Sequence, residues 1–344
     1  MKFVADRAIP FLEGVLEPYA EVVYKDGRAI TRADLLDADA LLTRTRTHCD
    51  AALLGGTRVS LIATATIGMD HIDLPWCAAN GIVVRNAAGC NAGGVMDYVF
   101  SALYAVAARK GISLTGKTFG IIGVGHVGSR VEEMARKLGF AVLLCDPPRA
   151  AVEGPDAFLP LEELLEHSDI VTMHTPLDPT TAGMADNAFF SRMRTGAVFI
   201  NASRGEVVDE AALLHAIPKL GAVIIDTWRG EPRINRILMD AVDIATPHIA
   251  GYSFQGKQNG SSAVVRAVAD HFGIAALRHF SPEDTVPELS PIRLDITGMS
   301  QGQIAATFQY NYPVLTDDFL FRLDPDGFEA MRTAYQYRRE FSII

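Results

Sequence analysis

An arginine, an acid and a histidine each stand in a loop that follows an apolar, strand-like run. Arg204 lies in Asn201-Ala-Ser-Arg-Gly-Glu-Val-Val-Asp209, Glu231 precedes Pro232, and His248 lies in Thr246-Pro-His-Ile-Ala-Gly251. All three follow a glycine-rich turn, Gly123-Val-Gly-His-Val-Gly128. A guanidinium at a strand's carboxyl end can clamp a substrate carboxylate and polarise a keto oxygen. A carboxylate beside an imidazole favours the imidazolium and brings it into the range of an acid–base catalyst. Together these groups suit a 2-hydroxy acid. His248 would take the hydroxyl proton while hydride leaves to a nicotinamide, and would return it in the reverse direction.

Each residue alone has a plainer reading: Arg204 as a surface arginine, Glu231 as a loop acid, His248 as a structural histidine. Their shared position after successive strand-like runs favours chemistry. The glycine turn follows the apolar run 118–122 and precedes a helix-like segment at 127–138. Gly123 permits the tight turn, Gly125 lets the backbone approach a pyrophosphate, and Gly128 lets helix and strand pack closely, with His126 and Val127 between the last two. The helix N-terminus then favours the phosphates. Asp146, ending the next strand-like run, either caps the turn before Pro147-Pro148 or accepts hydrogen bonds from the adenosine ribose. The second reading predicts NAD rather than NADP, because a carboxylate repels a 2′-phosphate; Arg149 nearby argues the other way. His174, before Thr175-Pro176, is expected to line the cofactor site without doing chemistry.

Positioning these groups needs parallel sheets. Residues 118–122, 141–145, 170–173, 197–200, 222–225 and 243–245 read as strands with helices between them, a doubly wound α/β pattern whose ligands sit at the strands' carboxyl ends. Upstream, strand-like runs at 2–5, 22–24, 40–43, 61–63 and 82–84 alternate with helix-like segments such as 11–19 and 73–80. Residues 95–109 are apolar on nearly every face, so a buried helix between two domains is expected there. An amphipathic helix at 256–272 would run back to complete the first domain. From about residue 280, Pro282, Pro287, Pro291 and Pro313 punctuate what reads as an irregular, separate appendage. The expected domains are therefore 1–92 (completed by about 253–279), 93–252, and 280–344.

With a net charge of −10, the chain is a poor partner for nucleic acid, and an anionic substrate would need a local positive patch. Arg44 and Arg46, flanking Thr45, are candidates to hold a substrate phosphate. No apolar run reaches the roughly 18 residues of a membrane span. The four cysteines are scattered without a Cys-x-x-Cys pair, which argues against a metal site or disulfide framework and fits a reducing cytoplasm. The tail carries Phe308, Tyr310, Tyr312, Phe319, Phe321, Phe328, Tyr335 and Tyr337, so it should cover either the main body or a second subunit.

The glycine turn, the Asn201–Asp209 segment, Asp226 with Glu231-Pro232, and Thr246–Gly251 together resemble the D-isomer-specific 2-hydroxyacid dehydrogenases. Ala63-Thr-Ala-Thr66 with Asp70-His71, Ala88-Gly-Cys-Asn91, Leu144-Cys-Asp-Pro-Pro-Arg149 and Tyr252 sharpen the likeness to one branch of that family. That branch oxidises 4-phospho-D-erythronate on the way to pyridoxal phosphate. The resemblance implies a Rossmann NAD-binding domain, a flavodoxin-like substrate (lid) domain and a small C-terminal dimerisation domain, hence a homodimer. It implies catalytic Arg204, Glu231 and His248, with His248 as proton donor. Cofactor contacts would include Asp146, Thr175, Ala202, Ser203, Arg204, Asp226 and Gly251, and substrate contacts Thr45, Thr66 and Tyr252. Gly93-Gly94 and Asp97 depart from the pattern, standing where bulkier residues and a glutamate are usual. Two other functions compete: a 3-phosphoglycerate or glycerate-type dehydrogenase, and an NAD(H)-sensing binding protein.

Overall fold

The computed structural model describes residues 1–282 and 290–344, and the chain forms two compact units. Met1–Asn91 and the described part of Ser253–Ser290 make the first; Ala92–Tyr252 and Pro291–Ile344 make the second. Pro287, read as part of the tail's punctuation, lies outside the described residues.

The first unit is built on an all-parallel sheet of β1 (Lys2–Asp6), β2 (Glu21–Lys25), β3 (Ala40–Thr43), β4 (Leu61–Thr64) and β5 (Val83–Asn86), in the order β2-β1-β3-β4-β5. This is the flavodoxin-like order. β3 and β4 are buried at every position, which is why their sequences are continuous apolar runs rather than alternating ones. The helix Phe254–Phe272 returns to this unit, as expected for 256–272. It is capped by the Ser253 side chain and ended by Gly273 in the left-handed region. Its Val264, Val265, Val268 and Ala269 pack with Phe3, Leu42 and Leu61. The helix expected at 11–19 is absent. Phe11 (φ +57°) and Gly14 (φ +81°) break the segment into turns, although Leu12 and Leu16 still bury at helix-like spacing.

The second unit holds β6 (Thr118–Ile122), β7 (Ala141–Cys145), β8 (Ile170–Met173), β9 (Val198–Asn201), β10 (Ala222–Ile225) and β11 (Ile244–Ala245), all parallel, in the order β11-β10-β9-β8-β6-β7. The winding reverses between β6 and β8, which marks the ligand-binding end of such sheets. The all-apolar helix runs Ala92–Lys110 and buries every residue from Ala92 to Ala107. Within its unit it packs against the helix His126–Lys137 and the tail helix Gln301–Asn311.

The tail also corrects the expectation of an irregular, separate appendage. It forms the helices Gln301–Asn311, Val314–Leu323 and Phe328–Ala334, with β12 (Ile292–Leu294) paired to β13 (Phe341–Ile343). Phe308, Tyr312, Phe321, Phe328 and Phe341 are each no more than 2% exposed and belong to the second unit's core. Half the tail's aromatic residues therefore cover the main body.

Candidate active site

One row of paired residues crosses the whole six-stranded sheet: Cys145, Ile122, Met173, Asn201, Ile225 and Ala245. Each is the last residue of its strand. The loops that follow therefore leave from one edge, and they carry Asp146, Gly123, Thr175, Arg204, Asp226 with Glu231, and His248. Strand register alone assembles the candidates from more than a hundred residues of sequence.

The glycine turn behaves as the spacing predicts. Gly123 takes φ +84°, and a Cβ there would meet the His174 carbonyl 2.8 Å away. A Cβ at Gly128 would collide with the Gly123 carbonyl. Around Gly125 nothing lies within 4 Å of such an atom, and this residue caps the helix His126–Lys137 without any side-chain hydrogen bond. The helix N-terminus is thus left open to a phosphate. Asp146 accepts the Val124 N–H at 2.7 Å and the Arg149 N–H at 2.9 Å, so it braces the turn as well as capping the next helix. Arg149 is paired with Glu153, at 2.7 Å for both Nε and Nη2. Thr175 Oγ1 is buried and has no partner. An unpaired buried hydroxyl at the switch point is what a bound ligand would satisfy. His174 lies 3.1 Å from Thr172 Oγ1, and burial pushes its pKa down to about 3, so it stays neutral.

Around the acid–base pair, His248 Nδ1 lies 2.8 Å from Glu231 Oε2, and Glu231 Oε1 accepts the Trp228 N–H at 2.9 Å. Burial pushes the Glu231 carboxyl up, but His248 and the Trp228 N–H outweigh it, and its pKa is lowered. With Nδ1 committed to Glu231, Nε2 is the ring atom left for a substrate hydroxyl. His248 itself sits at φ +55°, a backbone state that costs a non-glycine residue about 1–3 kcal/mol and persists only where neighbours enforce it. The enforcing group is Asp226. Its carboxylate accepts from Thr246 Oγ1 (2.7 Å), Ile249 N–H (2.8 Å) and Ala250 N–H (3.0 Å), while its carbonyl accepts the His248 N–H (2.8 Å). Burial raises the Asp226 pKa against these partners.

Asn201 ties the arginine loop together. It accepts from the Ser203 N–H (3.1 Å) and hydroxyl (2.8 Å), and its amide donates to the Arg204 carbonyl (2.9 Å). Ala202 is half-buried beside it. Gly205 allows close approach, since a Cβ there would overlap the Trp228 backbone. Sequence reading assigned no role to Asn201 or Trp228. A buried asparagine ending a strand, and one of only two tryptophans, were the available signals. Gly251 and Tyr252 follow in the same loop. The Tyr252 ring meets Tyr335 (5.9 Å) and Tyr337 (6.3 Å), with Arg332 over its face at 5.8 Å.

Thr45 and Thr66 belong to the first unit. β3 and β4 end as a register pair, Thr43 with Thr64, and both candidates lie two residues further on. Thr45 is exposed in a turn between Arg44 and Arg46; Thr66 lies 2.7 Å from Thr64 Oγ1 and donates to the Gly68 carbonyl.

Comparison with known proteins gives the family. Residues 100–250 match the family described as D-isomer specific 2-hydroxyacid dehydrogenase, NAD binding domain. The chain belongs to the D-isomer specific 2-hydroxyacid dehydrogenase family, and it is an NAD-dependent dehydrogenase. Within that class it is 42% identical to the erythronate-4-phosphate dehydrogenase of Yersinia pestis, over all of this chain and 94% of the relative. Among solved structures it is similar to NAD+-bound 3-phosphoglycerate dehydrogenase of Entamoeba histolytica. That likeness has a TM-score of 0.68 at 26% identity, and it covers 81% of this chain and 97% of the other. It is also similar to D-lactate dehydrogenase of Aquifex aeolicus with NAD and lactic acid, with a TM-score of 0.67 at 25% identity, covering 80% and 96%.

Proposed function

We propose that this enzyme oxidises 4-phospho-D-erythronate to 2-oxo-3-hydroxy-4-phosphonooxybutanoate, a step toward pyridoxal phosphate. The observation that carries the chemistry is the 2.8 Å pairing of His248 Nδ1 with Glu231; full-length likeness to the Yersinia enzyme carries the choice of substrate. Bound NAD supplies the two-electron acceptor for the C2 hydrogen. Gly123, Gly125, Gly128 and the N-terminal turn at His126 and Val127 are suited to its pyrophosphate, Asp146 to its ribose, and Thr175 Oγ1 to a further polar contact. Arg204 binds the substrate carboxylate and polarises the C2 oxygen. His248 Nε2 takes the C2 hydroxyl proton while Glu231 stabilises the imidazolium, and the proton later leaves to water. Ala202, Ser203, Asp226 and Gly251 are proposed as further cofactor contacts, and Thr45, Thr66 and Tyr252 as substrate contacts.

NADH formation across a panel of phosphorylated 2-hydroxy acids tests this reading. 4-Phospho-D-erythronate should exceed 3-phosphoglycerate and unphosphorylated D-erythronate in kcat/KM by about tenfold or more. Equal use of 3-phosphoglycerate would reassign the substrate.

A homodimer is the proposed assembly. Tyr310, Phe319, Leu320 and Leu323 of the tail are 89%, 59%, 47% and 65% exposed, an apolar surface that a second copy would cover. Light scattering should give about twice the 37.2 kDa chain mass; a value near one chain would refute it. No helix among the described residues is long and apolar enough to cross a membrane. Four unbridged cysteines favour a cytoplasmic setting.

A further inference from the structure

In the charged stretch Tyr335–Glu340, Arg338 is only 9% exposed. Its Nη1 donates to the carbonyls of Ile249 (3.2 Å) and Tyr252 (3.0 Å) and lies 3.3 Å from the Tyr335 hydroxyl. Its Nη2 donates to the carbonyls of Gly94 (2.9 Å) and Ala250. The guanidinium lies 3.8 Å over the Tyr312 ring. Four of these acceptors are backbone carbonyls, and three of them belong to the loop that directly follows His248.

That loop is clamped on both sides. Asp226 takes its N–H groups and Arg338 takes its carbonyls. Only a planar guanidinium offers enough fixed donors to reach so many acceptors at once. Burying such a charge costs several kcal/mol unless its donors are satisfied, and here both Nη groups are satisfied by these acceptors while Nε is buried without a partner. The segment that delivers it is itself anchored. The Tyr335 hydroxyl donates to Asp317 at 2.9 Å, the Phe341 N–H donates to Asp97 at 3.0 Å, and the Glu340 carboxylate fills the space where a side chain at Gly93 would stand. Gly93, Gly94 and Asp97 are the positions that receive this segment.

We propose that Arg338 is a positioning residue for the dehydrogenase reaction: it ties the Ile249–Tyr252 loop to the first turn of the helix Ala92–Lys110 and so fixes the His248 ring. The C-terminal segment thereby contributes to catalysis from within its own chain. This rests on the assignment of His248 as the proton-transferring group. A displacement of about 1 Å at such a group costs roughly 10²-fold in rate, and His248 occupies a strained backbone state that relaxes when its loop is released.

The test uses Arg338→Lys and Arg338→Met in the full-length enzyme, with two readouts. In turnover, kcat should fall roughly 10–100-fold while NADH affinity, read by fluorescence titration, stays within about twofold of the parent. In amide exchange without substrate, a peptide covering 246–252 should exchange about tenfold faster, while one covering 118–122 keeps the parent's rate. Lysine, with fewer fixed donors, should recover part of both effects relative to methionine. Parent-like kcat and parent-like exchange in both variants would overturn the proposal. So would a uniform rise in exchange, or loss of folding in both, since either assigns Arg338 to global stability. The exchange readout does not depend on the substrate, so it separates failure of this inference from failure of the 4-phospho-D-erythronate assignment.

Discussion

Two parallel sheets end in very different ways. At the carboxyl edge of the six-stranded sheet, the loops after β9, β10 and β11 are laced together by buried groups: Asn201, Asp226 and Trp228 hold the backbone that presents Arg204, Glu231 and His248. At the same edge of the five-stranded sheet, β3 runs out at Thr43 into a turn with Thr45 exposed and Arg44 and Arg46 half-buried. Both edges are switch-point ends where ligands bind in doubly wound folds. The difference fits the proposed roles. Proton and hydride movement needs atoms fixed to fractions of an ångström, whereas an anionic group can be gripped by solvated donors that adjust to it.

The largest effect should come from the laced edge. His248→Gln is expected to lower kcat by roughly 10²–10⁴-fold while leaving NADH binding nearly intact, because the imidazole acts on the substrate hydroxyl. Stopped-flow rates near the parent's would remove the assigned role. At the open edge, Arg44→Ala and Arg46→Ala should act on KM for a phosphorylated substrate, by about tenfold for whichever side chain grips the phosphate, with little change in kcat. If KM moved in neither, the contrast between the two edges would fail.

How far this contrast was legible in the sequence depends on range. The strand ends could be read because buried parallel strands are continuous apolar runs, and every catalytic candidate follows one. The bracing of His248 could not. Asp226 holds Thr246, Ile249 and Ala250 across 20 or more residues, and nothing local to Asp226 marks it as a loop anchor. The segment at 11–19 misled because Leu12 and Leu16 bury at helical spacing even though Phe11 and Gly14 break the helix. The tail misled in the opposite direction. Its helices are short and interrupted at Pro313 and Pro325, so their periodicity is weak, and nothing local to Arg338 marks the carbonyls it holds in a loop more than 80 residues away.

Cofactor choice gives a smaller effect. Asp146→Ala should narrow the preference for NAD over NADP, by about tenfold, by removing repulsion of a 2′-phosphate. A parent that used both cofactors equally would refute the role of Asp146.

The smallest effect concerns acid. His174 has a folded pKa of about 3 against an ordinary 6.5. Between those values the unfolded chain binds a proton that the folded one does not, so stability falls as pH drops through that window. His174→Asn should shrink the loss of Tm between pH 7 and pH 5 by about 2 °C, measured without NAD. An unchanged loss would show that the ring is solvated enough to protonate in the folded state.

The central claim is that the loops after β9, β10 and β11 direct the C2 hydrogen of a 2-hydroxy acid to NAD as hydride while His248 takes the hydroxyl proton. Single-turnover mixing of the enzyme and NAD with 4-phospho-D-erythronate deuterated at C2 tests it most directly. The account predicts that NADH forms more slowly than from the undeuterated acid and that the deuterium is recovered on the nicotinamide. NADH formed without deuterium, or no NADH at all, would contradict it.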